Sequence, residues 1–382
     1  MKKSIIYALA SSALVLATGC TDLDVDVKSK YTEYPNESEI ALEAKMSDVY
    51  YAFRTQLGNN YNRTQTFASD EASGISFDGD YYDSAENVNP TVHNFNPENK
   101  PLNYWADLAS GITKCNQFID DLAGDNSKAM QIAQARTMRA FYHFILMDSF
   151  GDVPVLDRVP DENEAVERKP RAEVAAFIEK ELKECLPLLS DKNNAATYGK
   201  PNRWMAEALL VKLYINWGVY TCANVADYDA ATTVNNKLDE CVAMCDDIIK
   251  SNQFNLDDAY RKKFLYNNGA HIKDFIYAMP YDKVSAQGLK YGQYRTFRKV
   301  DGGDSMGYLG GKMNKSCAGI CAMNEEFANL YTLPGDDRND IILGATTDGK
   351  VYIHDPLTGE PTANPYIYKG EQLVLSKKIQ LK

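Results

Sequence analysis

The sequence predicts a mainly α protein, built of antiparallel helical hairpins with long irregular loops and a few short strands. Three observations predict it. From Ala140 to Met147, inside the stretch Ala133–Val155 (AQARTMRAFYHFILMDSFGDVPV), His143 is the only strongly polar side chain, as on a helix covered by neighbours round most of its circumference. Apolar residues recur at helical spacing on both sides of that stretch. Near 58–100 and 252–382 the period fades into segments rich in Gly, Asn, Asp, Ser and aromatic residues, which read as loops with short strands or turns. With 382 residues, 45% hydrophobic and 25% charged, the chain is globular in composition.

The N-terminus predicts export. Met1-Lys2-Lys3 is positive, Ile5–Ala17 is a short apolar run, and Ala17-Thr18-Gly19 places small residues before Cys20, the plan of a cleaved secretory leader too short to span a bilayer. Cys20 resembles the lipidated cysteine of a bacterial lipobox, although the position three before it is Ala17, with Leu16 one place further out. Residues 1–19 are therefore expected to be removed and Cys20 to carry palmitate-type acyl chains. Residues 20–35, with Asp22, Asp24 and Asp26 alternating with Leu23, Val25 and Val27, read as an extended tether; the acidic stretch resembles the signal that sends lipoproteins to the outer face. The formal charge of −12 becomes −14 once Lys2 and Lys3 are lost, which opposes nucleic acid or an anionic bilayer surface as partner.

The helices follow in order. Asn36 or Ser38 can cap a helix whose buried face is Leu42, Met46, Val49 and Phe53. Trp105, Leu108, Ile112, Cys115 and Ile119 form a stripe ending near Gly124, and the central helix begins at Lys128 and ends at Gly151, with Pro154 preventing its resumption. Val174, Ile178, Leu182, Cys185 and Leu189 give the next stripe, and Trp204, Ala208, Val211, Ile215 and Gly218 another, opened by Pro201. A helix over Asn235–Lys250, with Leu238, Cys241, Cys245 and Ile248 inward, completes two and a half antiparallel pairs resembling a short tetratricopeptide-like solenoid. Further on, a short helix is expected over Glu325–Tyr331, and Tyr366–Lys382 alternates like a strand with no closing partner.

Arg136, Arg139, Ala140, the aromatic run and Phe150-Gly151-Asp152-Val153-Pro154 resemble the SusD/RagB family signature. Lys169-Pro170-Arg171 into Val174–Ile178, Gly199–Tyr214 and Asp336-Asp337-Arg338 are similar to family segments as well. The resemblance implies a SusD-like helical domain over 36–382 in a surface-exposed, lipid-anchored outer-membrane protein. Its implied role is to bind a nutrient, an oligosaccharide or a peptide, for a TonB-dependent, SusC-like transporter, as a binder and not an enzyme. Family members usually continue into further helices with a Glu, Gly, Arg and Asp motif, whereas this sequence stops at Lys382, so a truncated reading frame is an expectation too.

Arg136, Arg139 and His143 at i, i+3 and i+7 make one polar seam on the central helix, expected to satisfy buried partners and not a ligand. Gly303-Asp304-Ser305-Met306-Gly307 fits Gly-x-Ser-x-Gly but lacks the strand-turn-helix context that exposes the nucleophile; an exported serine hydrolase using Ser305 and His354 is the alternative reading. Gly311-Lys312 fails as a phosphate loop because Met313 follows. Asp78, Asp80, Asp83 and Glu86 do not meet the calcium-loop pattern. The scattered His93, His143, His271 and His354 predict no catalytic metal, and no cofactor is expected. Cys115, Cys185, Cys222, Cys241, Cys245, Cys317 and Cys321 read mostly as small hydrophobes, with a disulfide open in an exported protein.

Binding is expected from aromatic loop residues, because sugar faces stack on rings while neighbouring donors orient hydroxyls. The candidates are Phe77, Tyr81 and Tyr82 in the first loop, and Tyr291, Tyr294, Arg295, Phe297 and Tyr308 in the second, with Tyr281 and Arg298 nearby.

Overall fold

The computed structural model describes residues 39–74, 88–96, 102–256, 260–265, 267–282, 284, 286–287, 321–336, 338, 350–355, 358, 360–368, 370–372 and 374. Two compact units divide the chain, Met1–Ala44 and Lys45–Lys382. The described part of the first is the opening of α1; everything below concerns the second.

Helices α1 (Glu39–Tyr50) and α2 (Arg54–Gln56) lead through a π-helical turn (Leu57–Tyr61) into α3 (Asn62–Phe67), and α4 (Val88–Thr91) is a single turn. The array proper is α5 (Trp105–Asp121), α6 (Ala129–Phe150), α7 (Arg171–Cys185), α8 (Arg203–Ile215), α9 (Trp217–Thr221) and α10 (Leu238–Lys250), with α11 (Glu325–Asn329) far along the chain. Three antiparallel two-stranded ladders join β1 (Ala72–Gly74) to β2 (Cys321–Met323), β3 (Tyr352–His354) to β4 (Pro361–Pro365) and β5 (Ile367–Tyr368) to β6 (Glu371–Gln372). The mainly helical class expected from the sequence is found. Among the described residues no helix is long and apolar enough to cross a membrane.

Each long helix packs on the next: α5 on α6, α6 on α7, α7 on α8 and α8 on α10. Helix α6 is the centre, with Met138, Ala140, Tyr142, His143, Ile145 and Met147 buried. Its end is set by Gly151 at φ +79°, whose N–H bonds to Met147 O at 2.9 Å. The chain then folds back, pairing Val153 with Lys169, and the Asp152 carboxylate accepts from Arg171 N at 3.0 Å to start α7. At Gly111, where α5 crosses α6, an added Cβ would meet the Tyr142 ring at 2.8 Å.

Sequence and structure differ in five places. Residues 54–67 are helical where no period was visible, because their buried face includes Arg63, Thr64 and Thr66 beside Phe67. Trp105 opens α5 but is 37% exposed, since the buried face of the helix begins at Leu108. On α8 the buried face also takes in Ala206, Leu209, Leu210, Leu213 and Tyr214, and of the expected stripe Trp204 and Gly218 are buried, Ala208 and Val211 half-buried and Ile215 exposed; a helix apolar nearly all round carries no single phase to read. The Tyr366–Lys382 strand has a partner after all, because Ile367–Tyr368 turns back on Glu371–Gln372 through Gly370 at φ +89°. Leu238 is likewise exposed on α10, and Cys115, Cys185, Cys222, Cys241 and Cys245 are free thiols.

The polar seam of α6 is a structural joint. Arg139 donates to Glu181 through Nε at 2.9 Å and Nη2 at 2.5 Å, and through Nη1 to Asn116 at 2.8 Å and Asp157 O at 2.7 Å. Arg136 takes the other oxygen of Glu181 at 2.6 Å and also reaches Glu184. Asn116 completes the net by donating to Leu156 O and Arg158 O. Arg139, Asn116 and Glu181 are all buried, so α5, α6, α7 and the connector between the last two meet at one carboxylate. His143 Nδ1 donates to Arg139 O at 2.8 Å while Nε2 accepts from Leu156 N at 3.1 Å. Both ring nitrogens are thus committed in the neutral form, and burial, the main cause, pushes the imidazole down to about 4.

Two predictions follow from this joint. Arg139→Met leaves one buried oxygen of Glu181 unpaired while Arg136 keeps the other, and is expected to remove about 3 kcal/mol of stability in urea unfolding, much of it recovered by adding Glu181→Leu. Because the folded pKa of His143 lies below its unfolded value of 6.5, the unfolded chain takes up the proton first. Its contribution is full above about pH 6.5 and is lost as pH falls towards 4, on the order of 3 kcal/mol. His143→Gln should flatten the melting temperature over that window.

Candidate functional site

The expected binding residues Phe77, Tyr81, Tyr82, Tyr291, Tyr294, Arg295, Phe297 and Tyr308 lie outside the described residues, as do Cys20, Ser305 and the acidic group at Asp78–Glu86. Their roots are described. Strand β1 ends at Gly74, where the first loop leaves, and β2 begins at Cys321, where the second returns. Gly74 pairs with Cys321, Ser73 with Ala322 and Ala72 with Met323. The chain therefore leaves β1 and enters β2 at the same end of one ladder.

The ladder is too short to be stable alone, and side chains clamp it. Asn324 N donates to Glu71 O at 3.0 Å, its Nδ2 donates to Asp70 O at 2.9 Å, and its Oδ1 accepts from Ser73 Oγ. The far end of the first loop is fastened too, because Gly74 N donates to Thr91 Oγ1 of α4 at 3.0 Å. Beyond α4, His93 sits at φ 54°, a left-handed conformation held by its Nε2 contact with Ala68 O at 3.0 Å. That turn stacks the His93 ring on Phe95, which is exposed. Tyr281, by contrast, spends its hydroxyl on Arg54 O and holds the Arg54 guanidinium 6.0 Å from its ring, so it packs against α2.

A second aromatic surface escaped the sequence reading. At the C-terminal end of α6, Phe150 lies 5.0 Å from Trp105 and 5.4 Å from Tyr104, and Tyr61 closes the cluster at 5.7 Å from Tyr104. Asp148 accepts from Tyr220 Oη at 2.7 Å beside it; burial and then the Asp148 charge hold the Tyr220 phenol far above its usual range. The partly exposed Trp105 indole at the edge of this cluster suits a sugar ring, yet in sequence it looked like one more member of a helix stripe.

The sequence of residues 23–215, half of the chain, matches a family described as starch-binding and associating with the outer membrane, SusD-like. The chain belongs to the SusD-like family. Solved structures agree on the fold. Surface glycan-binding protein A from Bacteroides uniformis is 17% identical with a TM-score of 0.62 over 79% of this chain and 63% of that one. The same-named protein from Bacteroides thetaiotaomicron, in complex with laminarihexaose, is 18% identical with a TM-score of 0.58 over 79% and 62%. A SusD superfamily protein from Bacteroides thetaiotaomicron is 16% identical with a TM-score of 0.57 over 78% and 62%. This SusD-like chain thus spans less than two thirds of the length of those structures. No protein of curated function matches it.

Asn324→Ala should leave the helical array intact while opening the root of both loops, at about 1–2 kcal/mol locally. Hydrogen exchange is expected to quicken at Ser73 and Ala322 and to stay unchanged along α6.

Proposed function

We propose that this chain is a surface-exposed, lipid-anchored receptor that captures an oligosaccharide and hands it to a TonB-dependent, SusC-like outer-membrane transporter without altering it. The observation that carries the reading is the register of Gly74 with Cys321. It roots the two aromatic loop segments side by side on a helical frame, in a chain whose family is described as starch-binding and outer-membrane-associated. The proposed ligand contacts are Phe77, Tyr81 and Tyr82 on one side and Tyr291, Tyr294, Arg295, Phe297 and Tyr308 on the other, rings to stack on sugar faces and an arginine to donate to hydroxyls. A charge of −12 favours neutral glycans over acidic ones. Since one relative of the same fold was solved with laminarihexaose, β-glucans head the panel to be tried. Cys20 supplies the anchor, and acyl chains there keep the receptor beside the transporter.

Native electrophoresis through gels containing laminarin, starch or other neutral glycans tests this. Retardation without release of reducing sugar is the expected result, weakened at least about tenfold in Tyr81→Ala/Tyr294→Ala. Reducing sugar released by the wild-type chain and abolished in Ser305→Ala would instead mark a hydrolase. Cys20→Ala should lose incorporated palmitate and leave the membrane fraction.

A further inference from the structure

A cleft lies between α1 and α5. The two segments run antiparallel, because partner numbers fall as those of the first segment rise. Lys45 Nζ meets Asp121 at 2.9 Å, a Cβ at Gly111 would come within 3.3 Å of Ala52 Cβ, and Gln56 Nε2 donates to Asp107 at 3.0 Å. Close approach at Gly111 shuts one end of the interface, and the Lys45–Asp121 bridge closes the other. Between them is a cavity of about 160 Å³. Its lining comes from one face of each helix: Lys45, Asp48 and Val49 at i, i+3 and i+4 on α1, and Lys114, Gln117 and Phe118 at the same spacing on α5. Val49 and Phe118 are buried and make an apolar floor, and the polar side chains form the walls.

Charge selects the occupant. Asp121 is already spent on Lys45. Asp48 on one wall, and Lys114 and Gln117 on the other, make no side-chain hydrogen bond or ion pair among the described residues. In particular, Asp48 and Lys114 do not pair with each other, although both line the same cavity. A carboxylate and an ammonium thus face one space with a gap between them. A simple anion there would meet Asp48, and a simple cation would meet Lys114, so the ligand that satisfies both walls carries both signs. A sugar ring fits less well, because Phe118 is 4% exposed and offers no face to stack on. Size sets the rest: the volume is close to the roughly 150 Å³ of an engineered cavity that takes up benzene, room for one short apolar group besides the charged ends.

We infer that the α1/α5 cleft is a binding site for a small zwitterion, a free α-amino acid with an aliphatic side chain. Its ammonium pairs with Asp48, its carboxylate with Lys114 and the Gln117 amide, and its side chain covers Val49 and Phe118. None of these residues belongs to the segments proposed to hold glycan, so the two readings stand or fall separately.

The probes are L-leucine and its two singly charged halves, 3-methylbutylamine and 4-methylpentanoate, titrated calorimetrically into the full chain. Leucine should bind saturably and at least about tenfold tighter than either half. Asp48→Asn and Lys114→Met, changes outside the buried core, should melt with the wild type and each weaken leucine at least about tenfold. Lys114→Met should also leave leucine no better bound than 3-methylbutylamine, and saturating laminarin should not shift the leucine isotherm. The inference is overturned if leucine gives no saturable heat up to about 10 mM, or if either half binds as tightly as leucine. It is equally overturned if either variant binds leucine like the wild type, or if laminarin displaces it.

Discussion

The frame depends on one carboxylate. Glu181 is buried, receives two arginines from α6, and through Arg139 and Asn116 controls the backbone of the connector at Leu156–Arg158. A buried ion pair is weak evidence of net stability, because desolvation offsets most of the Coulombic gain. Its worth here lies in direction. Arg139 makes four bonds with three different partners, and rotating or sliding α6 by one residue breaks them together. Apolar contact alone tolerates such sliding, whereas a fully satisfied polar net admits one register.

The interlocking continues outward. Glu179 accepts from Tyr214 of α8 at 2.9 Å and from Lys237 at 2.8 Å, while Lys183 reaches Glu240 at 3.0 Å. Helices α7, α8 and α10 are thereby aligned by polar contacts at their edges and by Ile178, Leu182, Leu210 and Leu213 between them. Successive helices in this array share a repeating problem: each must bury one face on its predecessor and present another to its successor. Helix α8 solves it by being apolar over most of its circumference.

That same property decided what the sequence could disclose. The stripe Val174, Ile178, Leu182, Cys185 and Leu189 was legible because α7 is polar elsewhere, and every one of those residues is buried. The end of α6 was legible because Gly151 and Pro154 act through local backbone chemistry. On α8 the phase was illegible, since Ala208, Val211 and Ile215 match Ala206, Leu209 and Leu213 in polarity. The helical turns over 54–67 hid behind a buried arginine and two buried threonines. Loop aromatics could be picked out by composition, but that Gly74 meets Cys321 is a long-range pairing that no local pattern encodes. The cluster of Trp105 and Phe150 was missed for the same reason, as it joins the start of one helix to the end of the next.

The bond from Ser73 to Asn324 spans 251 positions of chain, whereas the contacts of α5 with α6 and of α6 with α7 are made between neighbours in sequence. Closing so long a loop costs entropy that only a finished frame can offset. The rods can therefore assemble early, while the three-residue ladder waits until residues 321–324 are brought back against residues 70–74. Order at that ladder is in this way a late event of folding, and a chain arrested before it would keep a sound scaffold with the ladder unzipped.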